Sequence, residues 1–165
     1  MLRRFRFIGR FCQAALFLLL LSAPRSILSQ QAPEKESHAE HAMGFSQTTT
    51  THHFYLKKDG GIIQVEANSP DDLAAQDHIR MHVQHIAKSF SAGDFADPME
   101  VHSEEPSGVP QLRKLRSKIT YQYESTEKGA RVVIRTADAQ ALAAIHEFLR
   151  YQIREHHTGD PLTIS

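Results

Sequence analysis

Histidine is the residue type through which this sequence could do chemistry. The chain holds 11 histidines, all after residue 29, and one cysteine, Cys12, which lies before that point. Imidazole is the commonest protein ligand for metals and titrates near neutral pH. A chain rich in imidazole and without thiols after residue 29 favours copper(II) or zinc(II) held by nitrogen ligands. We therefore expect a metal-binding site built from histidine.

Three of the histidines have helical spacing. His78, His82 and His85 are four and three residues apart, so on a helix they form one stripe. Two histidines at i and i+4 can chelate zinc, copper or nickel. Ile79 follows His78 where the zinc-protease motif His-Glu-x-x-His requires Glu, so the stripe is not a metalloprotease site. The alternative interpretation is a half-exposed margin of an amphipathic helix.

The remaining candidates lie on a strand and on a second helix. His52 and His53 are adjacent in a strand-like segment, so they point to opposite faces and only one can join a given site. His146 lies on the apolar face of the last predicted helix, either as a hydrogen-bonded core residue or as a buried ligand. The predicted metal ligands are a subset of six residues: His52, His53, His78, His82, His85 and His146.

The first 29 residues have the pattern of an export signal. A basic stretch precedes an apolar run, Ala14 to Leu21, of about eight residues, whereas a membrane-spanning helix needs roughly 20. We expect cleavage before Gln30, with an uncleaved anchor as the alternative, and a periplasmic or secreted protein without a membrane span. Residues 30–44 follow as a disordered tether. Three tether residues are candidates for loose copper or nickel capture, unless they belong to a solvated tail: His38, His41 and Met43.

The charge balance argues against a nucleic-acid binder. Removal of residues 1–29 takes away five arginines and leaves 14 basic against 19 acidic residues, a net charge of −5 with neutral histidine. A nucleic-acid-binding domain instead shows a basic face. The basic cluster at residues 113–118 is interpreted as a solvated helix face or the start of a strand.

Alternating apolar residues predict two β-hairpins, each followed by a helix. The turn signal Asp59-Gly60-Gly61 joins the first two strands, and residues 126–129 join the second pair. Each strand has one apolar face. The inward-facing residues are Phe54, Leu56, Ile63 and Val65 in the first hairpin and Ile119, Tyr121, Tyr123, Val132 and Ile134 in the second.

Capping signals set the ends of the two helices. Ser69 is the expected N-cap of the first helix, with Pro70 at its first position, and the helix runs to about Ala92 before Gly93. Its core stripe is Ile79, Val83, Ile86 and Phe90. Asp138 caps the last helix, which runs from Ala139 to about His157. Between the halves, residues 94–109 read as a loop, and Pro110 to Arg116 as a short helix.

The two halves match when one is shifted by 69 residues. Gly60 then falls on Gly129, Ile63 on Val132, and residues 73–75 on residues 142–144, both Leu-Ala-Ala. A coincidence of generic hairpin and helix patterns is the alternative. The predicted fold is α+β, a four-stranded antiparallel sheet with two helices on one face and a ββα-ββα pseudo-repeat. It occupies residues 45–160, with residues 161–165 as a C-terminal tail.

Several short motifs resemble a family of small exported bacterial histidine-rich proteins. They are Met43-Gly44-Phe45, Thr51-His52-His53-Phe54, Gly60-Gly61, residues 148–156 (Phe-Leu-Arg-Tyr-Gln-Ile-Arg-Glu-His) and Thr158-Gly159-Asp160. The resemblance covers residues 43–160 and implies a Gram-negative cell envelope setting. The family has no established activity, so no catalytic residues transfer. Its members tend to place His directly before Met-Gly-Phe, whereas Ala42 stands there in this chain.

Three classes of function follow. We favour an envelope protein that binds or buffers copper or zinc. The alternative is a non-enzymatic interaction module of the envelope that docks a protein partner on the open sheet face or an edge strand. That face carries His53, Tyr55, Gln64, Glu66, Gln122, Glu124, Arg131 and Arg135. An enzyme is the third class, and the sequence contains no nucleophile elbow, phosphate loop or dinucleotide fingerprint to support it.

Overall fold

The computed structural model describes Ser46 and residues 48–165. The predicted signal peptide, the tether and the three tether residues His38, His41 and Met43 lie outside the described residues. In the part that is described, no helix is long and apolar enough to cross a membrane.

The described residues form a β-sheet of four strands and four α-helices. The strands are β1 (Thr50–Lys57), β2 (Gly60–Ala67), β3 (Ile119–Ser125) and β4 (Gly129–Thr136). The helices are α1 (Leu73–Ala92), α2 (Ala96–His102), α3 (Val109–Lys114) and α4 (Ala139–Glu155), and a 3-10 turn at Arg116–Lys118 leads into β3. The strand order is β1-β2-β4-β3 with every neighbouring pair antiparallel. The predicted α+β class and ββα-ββα order are confirmed.

The strand register supports the 69-residue pseudo-repeat. Thr50 pairs with Ala67 in the first hairpin, and the residues 69 further on, Ile119 and Thr136, pair in the second. At the centre of the sheet Ile63 pairs with Val132, its own counterpart. A pseudo-twofold axis therefore passes between β2 and β4.

Glycine allows β2 and β4 to approach each other at both ends of their pairing. A Cβ on Gly60 would clash with the carbonyl oxygen of Ile134, and a Cβ on Gly129 would clash with that of Val65. Since Ile134 is the counterpart of Val65, the two contacts are the same contact seen from each half. The Gly60–Gly129 match is thus a packing requirement.

The core lies between the sheet and the two long helices. Helix α1 packs over β4 and β3, whereas α4 packs over β1 and β2, so each helix covers strands that include those of the other half. The predicted stripe of α1 is buried throughout, and so are the inward residues of the first hairpin and of β4. On β3, Ile119 is buried, while Tyr121 and Tyr123 are partly buried against the core.

One predicted cap is wrong. Helix α1 begins at Leu73, not Pro70, and its N-cap is Asp72, whose side chain accepts a hydrogen bond from the backbone N–H of Ala75 at 3.0 Å. The Ser69 hydroxyl instead accepts from the N–H of Asp71 in the preceding turn. Two overlapping cap signals occur here, and the second one starts the helix because a carboxylate three residues before Ala75 satisfies a free N–H of its first turn. The expected ends at Gly93 and Asp138 are confirmed.

The segment predicted as a loop contains helix α2. It is seven residues long and carries Pro98 in its first turn, where the missing N–H has no helical partner. No apolar period can appear in so short a helix, and tertiary contacts hold it. Phe95, which precedes it, is buried and stacks on Phe90 of α1 with ring centroids 4.3 Å apart. Helix α3 corresponds to the short helix expected at Pro110–Arg116.

The C-terminal residues cover the outer edge of β1. The Asp160 carboxylate accepts a hydrogen bond from the N–H of Phe54, and the N–H of Ser165 donates to the carbonyl of Leu56. An uncovered edge strand is prone to pair with other chains. Residues 160–165 therefore belong to the packed domain.

A histidine-lined pocket as candidate metal centre

An apolar pocket opens between helices α1, α2 and α4 above the sheet. Its volume is about 70 Å³. Aliphatic and aromatic side chains from β1, β2, β4, α1, α2 and α4 form its walls, Ile63, Val83, Phe90 and Phe148 among them. Four histidines supply most of its polar atoms: His52, His82, His102 and His156.

Four different elements bring these histidines together. His52 points to the helix side of edge strand β1, and His82 lies beside the core stripe of α1. His102 is the last residue of α2, and His156 is the C-cap of α4. The side chains are thus positioned by the crossing of α4 over β1 and by the docking of α2.

The rings of three of the histidines are in contact. His52 and His156 stack with ring centroids 5.3 Å apart, and His102 meets His156 edge to face at 5.1 Å. Nε2 of His102 donates a hydrogen bond to Oε1 of buried Gln152 at 3.1 Å, which orients that imidazole. His156 also packs on Phe54, with centroids 5.5 Å apart. The cluster is a preformed group of aromatic nitrogen ligands on an apolar floor.

Burial keeps the two histidines of the first half neutral. It lowers the pKa of His52 to about 4, and the nearby His82 and His53 add to this effect. Burial also lowers the pKa of His82, which the Asp97 carboxylate partly opposes by raising it. Neutral imidazole is the form that binds a metal ion. His52 and His82 are therefore in the binding form at neutral pH.

The structure brings two of the six predicted ligands, His52 and His82, to this pocket. His53 lies on the opposite face of the sheet, where its Nδ1 donates to the Asp160 carboxylate at 3.0 Å. His146 is buried, and its Nε2 donates to the carbonyls of Lys57 and Gly60 at 2.9 and 3.1 Å. His146 thus joins α4 to the β1–β2 turn.

The other two predicted ligands remain on the outer side of α1. His78 is exposed, and His85 is exposed with its Nε2 3.5 Å from the carboxylate of Asp97 on α2. The stripe predicted from their spacing exists, and only its central member, His82, reaches the pocket.

Sequence reasoning missed His102 and His156. His102 lies in the segment read as a loop, and its signal is weak because α2 is too short to show a period. His156 stands at the end of α4 next to His157, inside the motif of the family resemblance. A helix that ends in two histidines was the signal available for this ligand.

As they stand, the rings contact one another rather than converge on a point. Among the described residues, no three His, Cys, Asp or Glu side chains are arranged as a metal centre. Coordination at the pocket would require the stacked rings of His52 and His156 to turn their nitrogens toward a common ion. The chain matches no protein-family model, no curated protein and no solved structure.

Proposed function

We propose that this protein binds a late first-row divalent ion, copper(II) or zinc(II), through the pocket histidines His52, His82, His102 and His156. The observation that carries the proposal is the convergence of four imidazoles from four elements at one apolar pocket. We propose further that it does so outside the cytoplasm, in the periplasm or as a secreted protein, where it buffers or hands on the metal.

The size of the pocket favours an ion over an organic ligand. Sites for drug-sized molecules have volumes of roughly 300–1,000 Å³. A volume of about 70 Å³ is several times smaller. One water occupies about 30 Å³ in the liquid. The space therefore suits a metal ion that keeps a water ligand.

The chemistry of the donors favours copper(II) or zinc(II) over calcium or magnesium. Imidazole nitrogen binds the late first-row ions, whereas the hard cations take oxygen ligands. The pocket walls supply no carboxylate, and its polar side chains are the four histidines and Gln152. Three or four nitrogens around one ion would complete a tetrahedral or tetragonal site.

Calorimetry on the tag-free exported chain tests the proposal. We expect copper(II) or zinc(II) to bind with a dissociation constant tighter than about 10 μM, and His82→Ala to weaken it by at least about tenfold, or 1.4 kcal/mol. His78→Ala is the matched control, since it removes an exposed imidazole one turn away on the same helix. His38→Ala with His41→Ala removes the tether histidines as a separate source of binding.

Two results would contradict the proposal. One is a dissociation constant weaker than about 100 μM for both ions, with no rise in the melting temperature. The other is a tight site that survives the loss of both His52 and His82. Either would leave docking of a protein partner on the open sheet face as the better proposal.

A further inference from the structure

A second group of ligand atoms lies outside the pocket, across the groove between α1 and α2. Nε2 of His85 is 3.5 Å from Oδ2 of Asp97, and the His85 side chain is 59% exposed while that of Asp97 is 26% exposed. The hydroxyl of Ser89 lies 3.4 Å from the same His85 nitrogen. An incoming ion would meet these oxygen and nitrogen atoms before the pocket histidines.

His82 links this outer group to the pocket. It lines the pocket, and it lies three residues before His85, so the two side chains are neighbours on one face of α1. The Asp97 carboxylate and His85 both act on the pKa of His82, which places all three within electrostatic reach of one another. His82 can therefore bind an ion held on either side of it.

The packing of α2 holds the outer group in place. Phe95 stacks on Phe90 of α1, two residues before Asp97, and fixes the start of α2 against α1. The same short helix carries Asp97 in its first turn and His102 at its end. One element thus supplies a ligand to the outer group and a ligand to the pocket.

We infer that Asp97, His85 and His82 form a capture site for the divalent ion, which passes through His82 into the pocket. The inference rests on the proposed function and adds a path to it. A carboxylate and two imidazoles suit zinc(II) and copper(II). The carboxylate attracts the hydrated ion and displaces a first water, and His82 exchanges the outer partners for the pocket histidines. Asp97 and His85 act on the rate of binding, and the pocket sets the final affinity.

Stopped-flow and equilibrium measurements on the full exported chain separate these roles, with zinc(II) or copper(II) alone as the probe. Asp97→Asn should lower the association rate constant about tenfold, and the dissociation rate constant in similar proportion. The equilibrium dissociation constant should then stay within about threefold of the parent value. His85→Gln should act in the same direction.

Asp77→Asn is the matched control. It removes the same charge from α1, where Asp77 is exposed and pairs with Arg80 at 3.1 Å. A general loss of negative charge would slow both Asp variants equally, whereas a capture site slows the Asp97 variant alone. Melting temperatures of all variants report whether the His85–Asp97 pair serves only to hold α2 against α1.

The outcomes are distinct. If the parent chain binds the ion and both Asp97→Asn and His85→Gln associate at the parent rate, the capture site is wrong and the proposed function stands. If Asp77→Asn slows binding as much as Asp97→Asn, the capture site is also wrong. If the parent chain does not bind either ion, both proposals fail together.

Discussion

The two ββα halves correspond residue by residue when 69 is added to the numbers of the first, and the correspondence is most informative where it breaks. His52 on β1 corresponds to Tyr121 on β3, and His82 on α1 corresponds to Tyr151 on α4. The positions around them keep their character, with Ile79 and Phe148 both buried at equivalent places. One half thus places imidazoles where the other places phenols.

The two tyrosines differ chemically from the two histidines. Burial raises the pKa of Tyr121, and its hydroxyl is among the buried groups of the described residues without a hydrogen-bond partner. Burial and the Glu104 carboxylate raise the pKa of Tyr151, whose hydroxyl donates to Glu104 at 2.6 Å. Both phenols stay protonated at neutral pH and do not offer a ligand. The comparison indicates that a symmetric scaffold was given one polar half.

The flanking segments enlarge the difference. The connection between the halves, residues 93–118, carries Asp97 and His102, whereas the second half is followed only by the C-terminal residues that cover β1. The pocket therefore draws its ligands from the first half, from the connection and from the end of α4. Four predictions test this comparison.

The largest effect should come from the equivalent core positions. Phe148→Ala should cost about 3–5 kcal/mol of the free energy of unfolding and Ile79→Ala about 2–5 kcal/mol, because each leaves a cavity in a packed layer. Urea denaturation measures both. Leu73→Ala, at a position 66% exposed, is the control and should change stability by less than about 0.5 kcal/mol. A cost at Leu73 equal to that at Ile79 would refute the assigned face of α1.

The metal-free protein should lose stability as the pH falls from about 6.5 toward 4. The folded pKa of His52 is about 4 against 6.5 when unfolded, so the unfolded state binds more protons in this window. The stability is complete above 6.5, and its loss amounts to at most about 3 kcal/mol. His82 contributes in the same direction, while His53 and His156 are the other titratable groups beside His52.

His52→Tyr, which installs the residue of the second half, should flatten this dependence. Urea melts of both proteins at several pH values between 7.5 and 4.5 measure it. A variant that keeps the full parental slope would show that other groups cause the acid loss.

Metal should stabilise the parent protein and not a variant that resembles the second half. At a free ion concentration 100 times the dissociation constant, binding to the folded state adds about 2.7 kcal/mol. His82→Tyr should remove most of this gain, and His78→Tyr, on the same helix, should keep it. Thermal melts with zinc(II) and with a chelator measure the gain. Equal stabilisation of both variants would place the ion elsewhere.

The smallest effect should distinguish the two cap signals of α1. Asp72→Ala should cost about 1 kcal/mol because the N–H of Ala75 loses its acceptor, whereas Ser69→Ala should cost a few tenths. Urea melts measure the pair under one condition. The reverse ranking would mean that the helix begins at Pro70 after all.

Local patterns in the sequence predicted most of the fold. Alternation in the strands and the three- and four-residue spacing of Ile79, Val83, Ile86 and Phe90 reflect which face of one element is buried, so a short window reveals them. Gly93 and Asp138 mark helix ends for the same reason. At Asn68 to Asp72 two cap signals overlap, and helix α2 is too short for a period. Local information was ambiguous at these places, and tertiary contacts decided them.

The candidate site was only partly predictable. The excess of histidine and the helical stripe identified His52 and His82 among six candidates, and the alternation of the strand correctly separated His52 from His53. Which histidines meet depends on the path of the whole chain. Helix α4 crosses over β1 and carries His156 to His52, 104 residues away in the sequence, and the stacking of Phe95 on Phe90 docks α2 with His102. No local period records such a contact, because the residues that create it are the apolar ones that pack the elements together.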